Sequence, residues 1–407
     1  MNSEKLLSII IPVFNKEKLL NKCIGSIYKL KKFSDLKNDI EVIAINDCSK
    51  DNSYFLLNKW KKKIKNFKII NLKTNKGVSF SRNIGIKKST GNYILFVDAD
   101  DTIKSKNFKN IFFLIKRNQS KDIFLFYNII QNGKIIIKNK IDKSKNEKSF
   151  SDALISTNSN LTSWNIWRTI IKRKFITNNK IYFENLHQFE DWVYIAKLIL
   201  LKPKFFKIKD YLYCYNLKIN NSETRSLDIK NLINSIKTFD HLKKINLKFN
   251  YQNKVLKLMI DDIKKILFID FFLLNQFHIK LYRKKYPLLK GIIETNIEFR
   301  NIINKSNNNI LFCAGRFGRT LSNLLSKKIR RQKIIIDENP TFYNSKINGF
   351  KIKNFNFIFK NRQDLKKHRF IICNTNRNTV MAIEKKILGK KFTSNQIISI
   401  NKVRNFK

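Results

Sequence analysis

The sequence lacks the cysteine pattern of a zinc site or a disulfide framework. Its 407 residues include five cysteines, and no two of them stand in a CxxC pair. Thiols scattered in this way argue against a zinc site and against a set of disulfide bonds. We therefore expect reduced cysteines that serve mainly as small apolar side chains.

Long apolar runs are also lacking. The best one, Ile266 to Leu274, is interrupted by Asp270 and is far shorter than the roughly 20 residues of a membrane-spanning helix. The first apolar run, Leu6 to Phe14, follows a charged pair and contains Pro12, which does not fit a secretory leader. The expected location is the cytoplasm.

Acidic residues are scarce: 30 Asp and Glu face 83 Lys and Arg, which gives a formal net charge of +53. This charge predicts attraction to nucleic acid or to an anionic membrane, unless it is compositional drift. The basic residues are spread along the whole chain, while Gly (10) and Pro (4) are rare. We favour drift, with peripheral adhesion to the inner membrane surface as a by-product and no specific nucleic acid as partner.

Against this background, three carboxylates fall within four residues. Asp98, Asp100 and Asp101 follow the apolar strand Tyr93 to Val97. Extended backbone would place Asp98 and Asp100 on one face, where they repel each other unless a cation lies between them. Hard oxygen ligands of this kind suit Mg²⁺ or Mn²⁺ shared with a phosphate. The alternative is an acidic turn in which Asp101 caps the next helix.

Predicted strands and helices alternate from the start of the chain. Short β-branched runs predict strands, and spaced apolar residues predict amphipathic helices. The elements are strand Leu7 to Val13, helix Lys16 to Tyr28, strand Ile40 to Ile45, helix Tyr54 to Lys63 and strand Phe67 to Leu72. Such βαβ units predict an α/β fold with a mainly parallel central sheet, whose ligands bind at the carboxyl edge of the strands. Three polar clusters fall at that edge: Phe14-Asn15, Asp47 and Asp98 to Asp100.

Five stretches of the chain resemble an inverting glycosyltransferase of family 2, whose nucleotide-sugar-binding fold is called GT-A. They are IIIPVFN, AINDCSKDNS, NKGVSFSRNIGI, STGNYILFVDADD and FEDWVYIAKL. The resemblance covers about Lys5 to Ser222, with the motifs in the family's order and spacing. It implies transfer of a sugar from a nucleotide-diphosphate donor, expected to be UDP-linked, to a hydroxyl of a surface glycan or a lipid-linked oligosaccharide. The competing hypothesis, a basic protein that binds nucleic acid or anionic membranes without catalysis, leaves the ordered acidic clusters unexplained.

The resemblance also places the donor side of the site, with Mn²⁺ or Mg²⁺ as cofactor. The residues implied to bind the nucleotide are Pro12, Val13, Phe14, Asn15, Asp47, Asp51, Arg82, Asn83 and Asp98, and those implied to hold the metal are Asp100 and Asp98. Each assignment has a structural alternative. Phe14 would serve equally as a core aromatic, Asp51 as a helix cap, and Arg82 as the partner of a neighbouring carboxylate.

On the acceptor side, the resemblance makes Asp191 the general base, because inversion needs one carboxylate to take the proton of the acceptor hydroxyl. Glu190 would orient the acceptor or the base, although an acid at a helix N-terminus is also favoured by the helix dipole. Trp164 and Trp167, in a segment from Ser163 to Lys174 that resembles the family's acceptor-side helix, would form a wall for a sugar or belong to the core. Arg225 is a weak candidate for contact with the diphosphate.

The sequence predicts three domains: residues 1–227 as the GT-A domain, 228–306 as a helical arm, and 307–407 as a small Rossmann-like domain. In the last of these, Gly315 and Gly318 match two of the three fingerprint glycines, and Cys313 stands where the first would be. Asp337 lies where a ribose-binding acid belongs. With one glycine missing we expect a scaffold for assembly and no bound NAD.

Overall fold

Buried β-branched runs form the first strands of the N-terminal half, and helices alternate with them along the chain. The strands are β1 (Leu7–Val13), β2 (Ile40–Asn46), β3 (Phe67–Asn71), β4 (Tyr93–Phe96), β5 (Thr102–Ile103), β6 (Ile123–Asn132), β7 (Ile135–Lys138), β8 (Thr169–Lys172) and β9 (Phe205–Asn216). The helices are α1 (Glu17–Lys32), α2 (Ser53–Lys63), α3 (Val78–Lys88), α4 (Phe108–Arg117), α5 (Phe150–Thr157), α6 (Arg173–Asn178) and α7 (Glu190–Leu200).

The computed structural model describes the following residues: 5–32, 38–104, 108–132, 135–138, 147–157, 164–216, 229–271, 282, 284–304, 309–312, 321, 334–337, 346–347, 350–354, 356, 369–373, 377–388, 392 and 396–398. The chain divides into two units. The N-terminal unit comprises residues 1–222 and 237–260, and the C-terminal unit comprises 223–236 and 261–407. Helices α8 (Ile229–Leu247) and α9 (Lys254–Asp270) contribute residues to both.

The sheet of the N-terminal unit has a parallel half and a mixed half. Its strand order is β3-β2-β1-β4-β8-β6-β9-β5, with β7 paired to β6. Strands β3, β2, β1 and β4 are parallel, β8 is antiparallel to both β4 and β6, and β9 runs parallel to β6. The predicted α/β fold with a mainly parallel sheet is therefore confirmed.

Helices cover both faces of this sheet. One core joins α1, α2 and α4 to the same face, through side chains such as Leu20, Leu57 and Phe112. Helix α3 lies on the opposite face, where Gly85 permits close approach, since a Cβ there would be 2.3 Å from Ile10 Cγ2. In α7, Tyr194 packs edge-on against Phe96 from β4. The carboxyl edges of the strands are left to the loops.

The helix expected over Ser163 to Lys174 is wrong in its middle part. A 3₁₀ turn at Ile166–Arg168 leads into strand β8, which fills the gap between β4 and β6. Ile170 and Ile171 are fully buried there. Their β-branched side chains suit a pleated surface, and pairing on both sides outweighs the helical pattern.

The C-terminal unit contains a second sheet of order β12-β13-β11-β10-β14-β15, parallel except for the β12-β13 pair. Its strands are β10 (Asn309–Phe312), β11 (Ile334–Ile336), β12 (Lys346–Ile347), β13 (Phe350–Lys353), β14 (Arg369–Ile372) and β15 (Ile397–Ile398), and its helices include α10 (Lys290–Asn304) and α11 (Arg377–Leu388). Asp337 follows β11, and its backbone N–H donates to the Lys353 carbonyl. Cys313, Gly315 and Gly318 lie outside the described residues. Among the helices that the structure describes, none is long and apolar enough to cross a bilayer.

A buried carboxylate in β2 ties three strands of the large sheet to one turn. Glu41 Oε1 accepts hydrogen bonds from Ser8 Oγ (2.6 Å), the Thr90 N–H (2.5 Å) and the Gly91 N–H (3.2 Å), and its Oε2 pairs with Lys68 (2.9 Å). Burial opposes ionisation, but these donors outweigh it and lower the pKa of Glu41 to about 2. The folded protein therefore contains Glu41 as a charged, hydrogen-bonded carboxylate.

We expect Glu41→Gln to lower the free energy of unfolding at pH 7 by about 2 kcal/mol, because hydrogen bonds to a charged acceptor are lost. Since the pKa of Glu41 in the folded protein lies below its ordinary value of 4.5, this contribution is present above pH 4.5 and lost as the pH falls towards 2. Denaturant unfolding from pH 7 downwards measures the difference between variant and wild type. The control Asp240→Asn, which breaks a partly exposed i,i+4 pair with Lys244, should cost less than about 0.5 kcal/mol. If the difference in unfolding free energy between Glu41→Gln and wild type did not become smaller below pH 4.5, this account would be contradicted.

Candidate active site

The loops after β1 and β2 are bound to each other at the carboxyl edge of the sheet. Lys50 donates its N–H to Asn15 Oδ1 (2.8 Å). Asp51 accepts from the Glu17 N–H and the Ser53 N–H, both at 3.0 Å. Asp51 thus stabilises the first turns of α1 and α2, as the helix-cap alternative anticipates, and its predicted contact with a nucleotide stays a prediction.

The end of β1 offers one aromatic ring at this edge. Val13 is buried and Pro12 is half-buried, whereas 36% of Phe14 is exposed. Asn15 follows with a φ of 50°, a left-handed conformation that asparagine tolerates better than most residues. Phe14 is therefore the member of this group with a ring face open for stacking.

Asp47, at the end of β2, holds the loop that precedes α3. Its Oδ1 accepts from the Lys76 N–H (2.7 Å) and its Oδ2 from the Gly77 N–H (2.8 Å). Gly77 has a φ of 87°, which a residue with a side chain rarely adopts. The buried carboxylate thereby fixes where α3 begins.

The centre of the site is a guanidinium enclosed by three carboxylates. Arg82, on α3, donates from Nη2 to Asp98 Oδ1 (2.8 Å) and from Nη1 to Glu190 Oε1 (2.7 Å) and Asp191 Oδ1 (2.8 Å). Only 3% of the Arg82 side chain is exposed. One buried cation therefore connects the end of β4 to the start of α7, which is the pairing that the sequence leaves open as the alternative to nucleotide contact.

Burial and mutual repulsion act on the protons of this cluster. Burial, reinforced by the charge of Asp191, raises the pKa of Glu190 to about 8 although Arg82 opposes the shift. Burial also raises the pKa of Asp191, with Arg82 again opposing and Asp98 adding to it. Burial alone would lower the pKa of Arg82, but the charges of Asp191, Asp98 and Glu190 hold it well above its usual value. Near neutral pH we therefore expect Glu190 to carry a proton, so that Arg82 is balanced mainly by Asp98 and Asp191.

The acidic turn after β4 is hydrogen-bonded to Tyr213 on β9, a residue that the sequence analysis does not single out. Tyr213 Oη donates to Asp101 Oδ2 (2.7 Å) and accepts from the Asp98 N–H (3.0 Å). The Asn216 N–H donates to Asp101 Oδ1 (2.8 Å), and burial raises the pKa of Asp101 well above its usual range. Asp101 therefore anchors the turn to β9 and does not cap α4, which begins at Phe108.

Asp98 and Asp100 remain partly open, with 28% and 20% of their side chains exposed. Two carboxylates with open positions fit Mg²⁺ or Mn²⁺, which takes its other ligands from a diphosphate and water. Asp100 Oδ2 is paired with Lys16 Nζ at 2.5 Å, so Lys16 would have to move away from this oxygen. Within the described part of the chain, no group of three or more His, Cys, Asp or Glu side chains is placed to hold a metal.

The other predicted residues mostly fix the backbone around the site. Asn83 exchanges two hydrogen bonds with the Phe183 backbone (2.9 and 3.0 Å) and so anchors the segment before α7. Phe189 has a φ of 60°, and α7 then starts with Glu190 and Asp191 in its first turn. Asp191 Oδ2 also accepts from the Ile166 N–H (3.1 Å). Arg225 lies outside the described residues.

Trp164 and Trp167 occupy the core position that the sequence allows as their alternative. Each is only 2% exposed. The Trp167 ring stacks on Tyr213 and Tyr215, with centroid distances of 4.3 and 5.6 Å. Neither indole is open to solvent, because β8 carries this segment into the sheet. Trp167 thereby packs against the tyrosine that holds the acidic turn.

Several solved structures with a similar fold are of Staphylococcus aureus TarS. The crystal structure of Staphylococcus aureus TarS 1-349 in complex with UDP-GlcNAc matches with a TM-score of 0.51 and 20% identity, over 72% of this chain and 79% of that chain. The crystal structure of TarS 1-349 has a TM-score of 0.50 and 21% identity, over 72% of this chain and 82% of that chain. These similarities show a GT-A fold.

Curated relatives match the N-terminal half. The poly(ribitol-phosphate) beta-N-acetylglucosaminyltransferase TarS of Staphylococcus aureus strain Mu50 is 29% identical over 213 residues, 52% of this chain and 35% of the relative. The poly(ribitol-phosphate) beta-glucosyltransferase of Bacillus spizizenii is 32% identical over 214 residues, 52% of this chain and 32% of the relative. The chain thus spans about a third of the length of these two relatives.

The family comparison agrees with the fold and with the motifs at the carboxyl edge of the sheet. Residues 8–179 match the family model described as Glycosyl transferase family 2. This stretch contains Asp47, Arg82, Asp98 and Asp100, while Glu190 and Asp191 follow shortly after it. The match to glycosyl transferase family 2 thus covers residues 8–179, within the N-terminal unit.

Proposed function

We propose that this chain is an inverting glycosyltransferase that moves a sugar from a UDP-linked donor to a hydroxyl of a surface glycan or a lipid-linked oligosaccharide. The observation that carries the proposal is the buried Arg82, which joins Asp98 at the donor edge to Asp191 at the start of α7. Two relatives, named as a poly(ribitol-phosphate) beta-N-acetylglucosaminyltransferase and a poly(ribitol-phosphate) beta-glucosyltransferase, support it, as does the likeness to a TarS structure with UDP-GlcNAc.

On the donor side, the exposed Phe14 ring stacks on the base and the Asp98-Asp100 turn faces the diphosphate. A divalent cation, when bound by these two carboxylates, neutralises the charge that develops on the leaving diphosphate. Tyr213 keeps the turn in place, since its hydroxyl accepts from the Asp98 N–H and donates to Asp101, which also accepts from the Asn216 N–H on β9. Lys16, released from Asp100, is placed to contribute a further positive charge near the phosphates.

On the acceptor side, Asp191 acts as general base. It takes the proton of the acceptor hydroxyl while that oxygen bonds to the anomeric carbon and the bond from this carbon to the diphosphate oxygen breaks. Arg82 and the Ile166 N–H each hold one of its oxygens, which fixes the direction of the carboxylate. The raised pKa of Asp191 makes it a stronger base than an exposed aspartate.

Donor binding and proton transfer should respond to different substitutions. We expect Asp100→Ala to lose the metal-dependent part of the thermal stabilisation by UDP with Mn²⁺. Asp191→Asn should keep that stabilisation and lose transfer by about a hundredfold or more, as removal of a general base does. Thermal shift with UDP and UDP-sugars, each with and without Mn²⁺, and UDP release in the presence of acceptor measure the two effects.

The exposed Asp261→Ala on α9, which only breaks an i,i+3 pair with Lys264, is the control and should match wild type in both assays. If no nucleotide stabilises the wild type, the donor site is contradicted. Full activity of Asp191→Asn would exclude Asp191 as the base.

The proton on Glu190 predicts a dependence of stability on pH. The pKa of Glu190 in the folded protein, about 8, lies above its ordinary value of 4.5, so its contribution to stability is complete below pH 4.5 and is lost as the pH rises towards 8. Glutamine does not titrate, so Glu190→Gln should gain stability relative to wild type across this range, by an amount on the order of 2 kcal/mol. Denaturant unfolding at pH 5, 6.5 and 8 measures the difference in unfolding free energy between variant and wild type, and a difference that stays constant with pH would contradict the proton on Glu190.

A further inference from the structure

Three helices on one face of the large sheet turn a basic surface outwards. Helices α1, α2 and α4 bury their apolar sides in one core together with residues such as Ile9, Val42 and Leu95. Their exposed residues therefore point away from the sheet. We call this surface, made by the exposed residues of α1, α2 and α4, the outer helical surface.

The outer helical surface carries almost no acid. Helices α1, α2 and α4 contain five, four and three Lys or Arg residues, and a single acidic residue, Glu17. Glu17 Oε2 accepts a hydrogen bond from the Asn52 N–H at 2.9 Å. On the opposite face, α3 and α7 together contain four basic and two acidic residues. Helices α1, α2 and α4 thus carry far more net positive charge than α3 and α7.

Two phenylalanines stand exposed within this basic surface. Phe55 on α2 is 57% exposed and Phe113 on α4 is 56% exposed. Each ring has a cation one helical turn further on: Lys59 Nζ lies 4.5 Å from the Phe55 centroid, and Arg117 Cζ lies 5.3 Å from the Phe113 centroid. An exposed phenyl ring gains free energy when a partner removes it from water. Because the same pairing of exposed ring and cation occurs on two helices, we expect a partner that offers both negative charge and apolar groups.

The lysines of the predicted helical arm are arranged differently. In α8 and α9, Lys244 pairs with Asp240 (2.7 Å), and Lys264 and Lys265 pair with Asp261 (3.4 Å) and Asp262 (3.2 Å). These acids lower the net positive charge of the arm. This difference in charge favours the outer helical surface over the arm as the part of the chain that contacts a membrane.

We propose that the outer helical surface docks on an anionic lipid bilayer. Among its described side chains, nine of the ten exposed basic residues are lysines, point charges that suit the diffuse negative potential of lipid headgroups, at about 1 kcal/mol each. Nucleic-acid recognition draws more on the planar fork of arginine. Phe55 and Phe113 insert at the boundary between headgroups and acyl chains.

Docking in this way also places the candidate active site beside the bilayer. Helices α1 and α2 begin at the carboxyl edges of β1 and β2, so the outer helical surface borders the edge that holds the site. A lipid-linked acceptor would then lie within reach; this last step rests on the proposed function, whereas the docking itself does not.

The test is binding of the full chain to vesicles of phosphatidylcholine with 30% phosphatidylglycerol, by co-sedimentation. Lys59→Glu/Lys62→Glu on α2 should weaken binding by about tenfold or more. Phe55→Ser/Phe113→Ser, which leaves the charge unchanged, should weaken it by about tenfold. The matched control, Lys87→Glu/Lys88→Glu, makes the same charge change on α3 and should stay within about threefold of wild type.

The proposal is supported if binding to vesicles with phosphatidylglycerol weakens as salt is added, and is also weaker in the α2 lysine variant and in the phenylalanine variant. Equal loss in the α3 control, binding to pure phosphatidylcholine at the same strength, or binding to a single-stranded RNA without binding to vesicles would each overturn it. Circular dichroism verifies that every variant is folded. Stabilisation by UDP, measured on the same variants, reports the donor site separately, so that failure of one proposal leaves the other testable.

Discussion

The candidate site depends on one constraint: a buried guanidinium must compensate three carboxylates that would otherwise repel one another. Arg82 is almost fully enclosed and bonds to Asp98, Glu190 and Asp191. Desolvation of a charged group costs several kcal/mol, and removal of one partner from a buried pair leaves that cost uncompensated. The cluster is therefore stable only as a unit. A proton on Glu190 brings its charge closer to balance.

The rest of the fold serves to bring Arg82 and its partners together. Asp47 fixes the loop where α3 begins, and Gly85 allows α3 to lie close against β1. Asn83 fixes the segment that leads to α7. Tyr213, stacked on Trp167, holds the turn that carries Asp98. Each contact is made between residues far apart in the chain, so the site is a product of the tertiary fold.

The sequence predicts the parallel half of the sheet well, because β1 to β4 are short buried runs with β-branched residues. It also predicts which strand ends carry the polar residues, since parallel strands expose their carboxyl ends at one edge. It does not predict the strand β8, whose identity depends on pairing with both β4 and β6. Nor does it predict Tyr213, since a tyrosine in a tyrosine-rich strand carries no local signal of its hydroxyl partners.

The central claim is that Arg82 and the carboxylates of α7 act as one unit, and a double-mutant cycle of Arg82→Met and Glu190→Gln tests it most directly. Denaturant unfolding of the two single variants and of the double variant gives the coupling. The account predicts that Arg82→Met alone costs about 3–5 kcal/mol. It predicts that Glu190→Gln recovers part of this loss, with an interaction energy of about 1 kcal/mol or more. Additive effects of the two substitutions would contradict it.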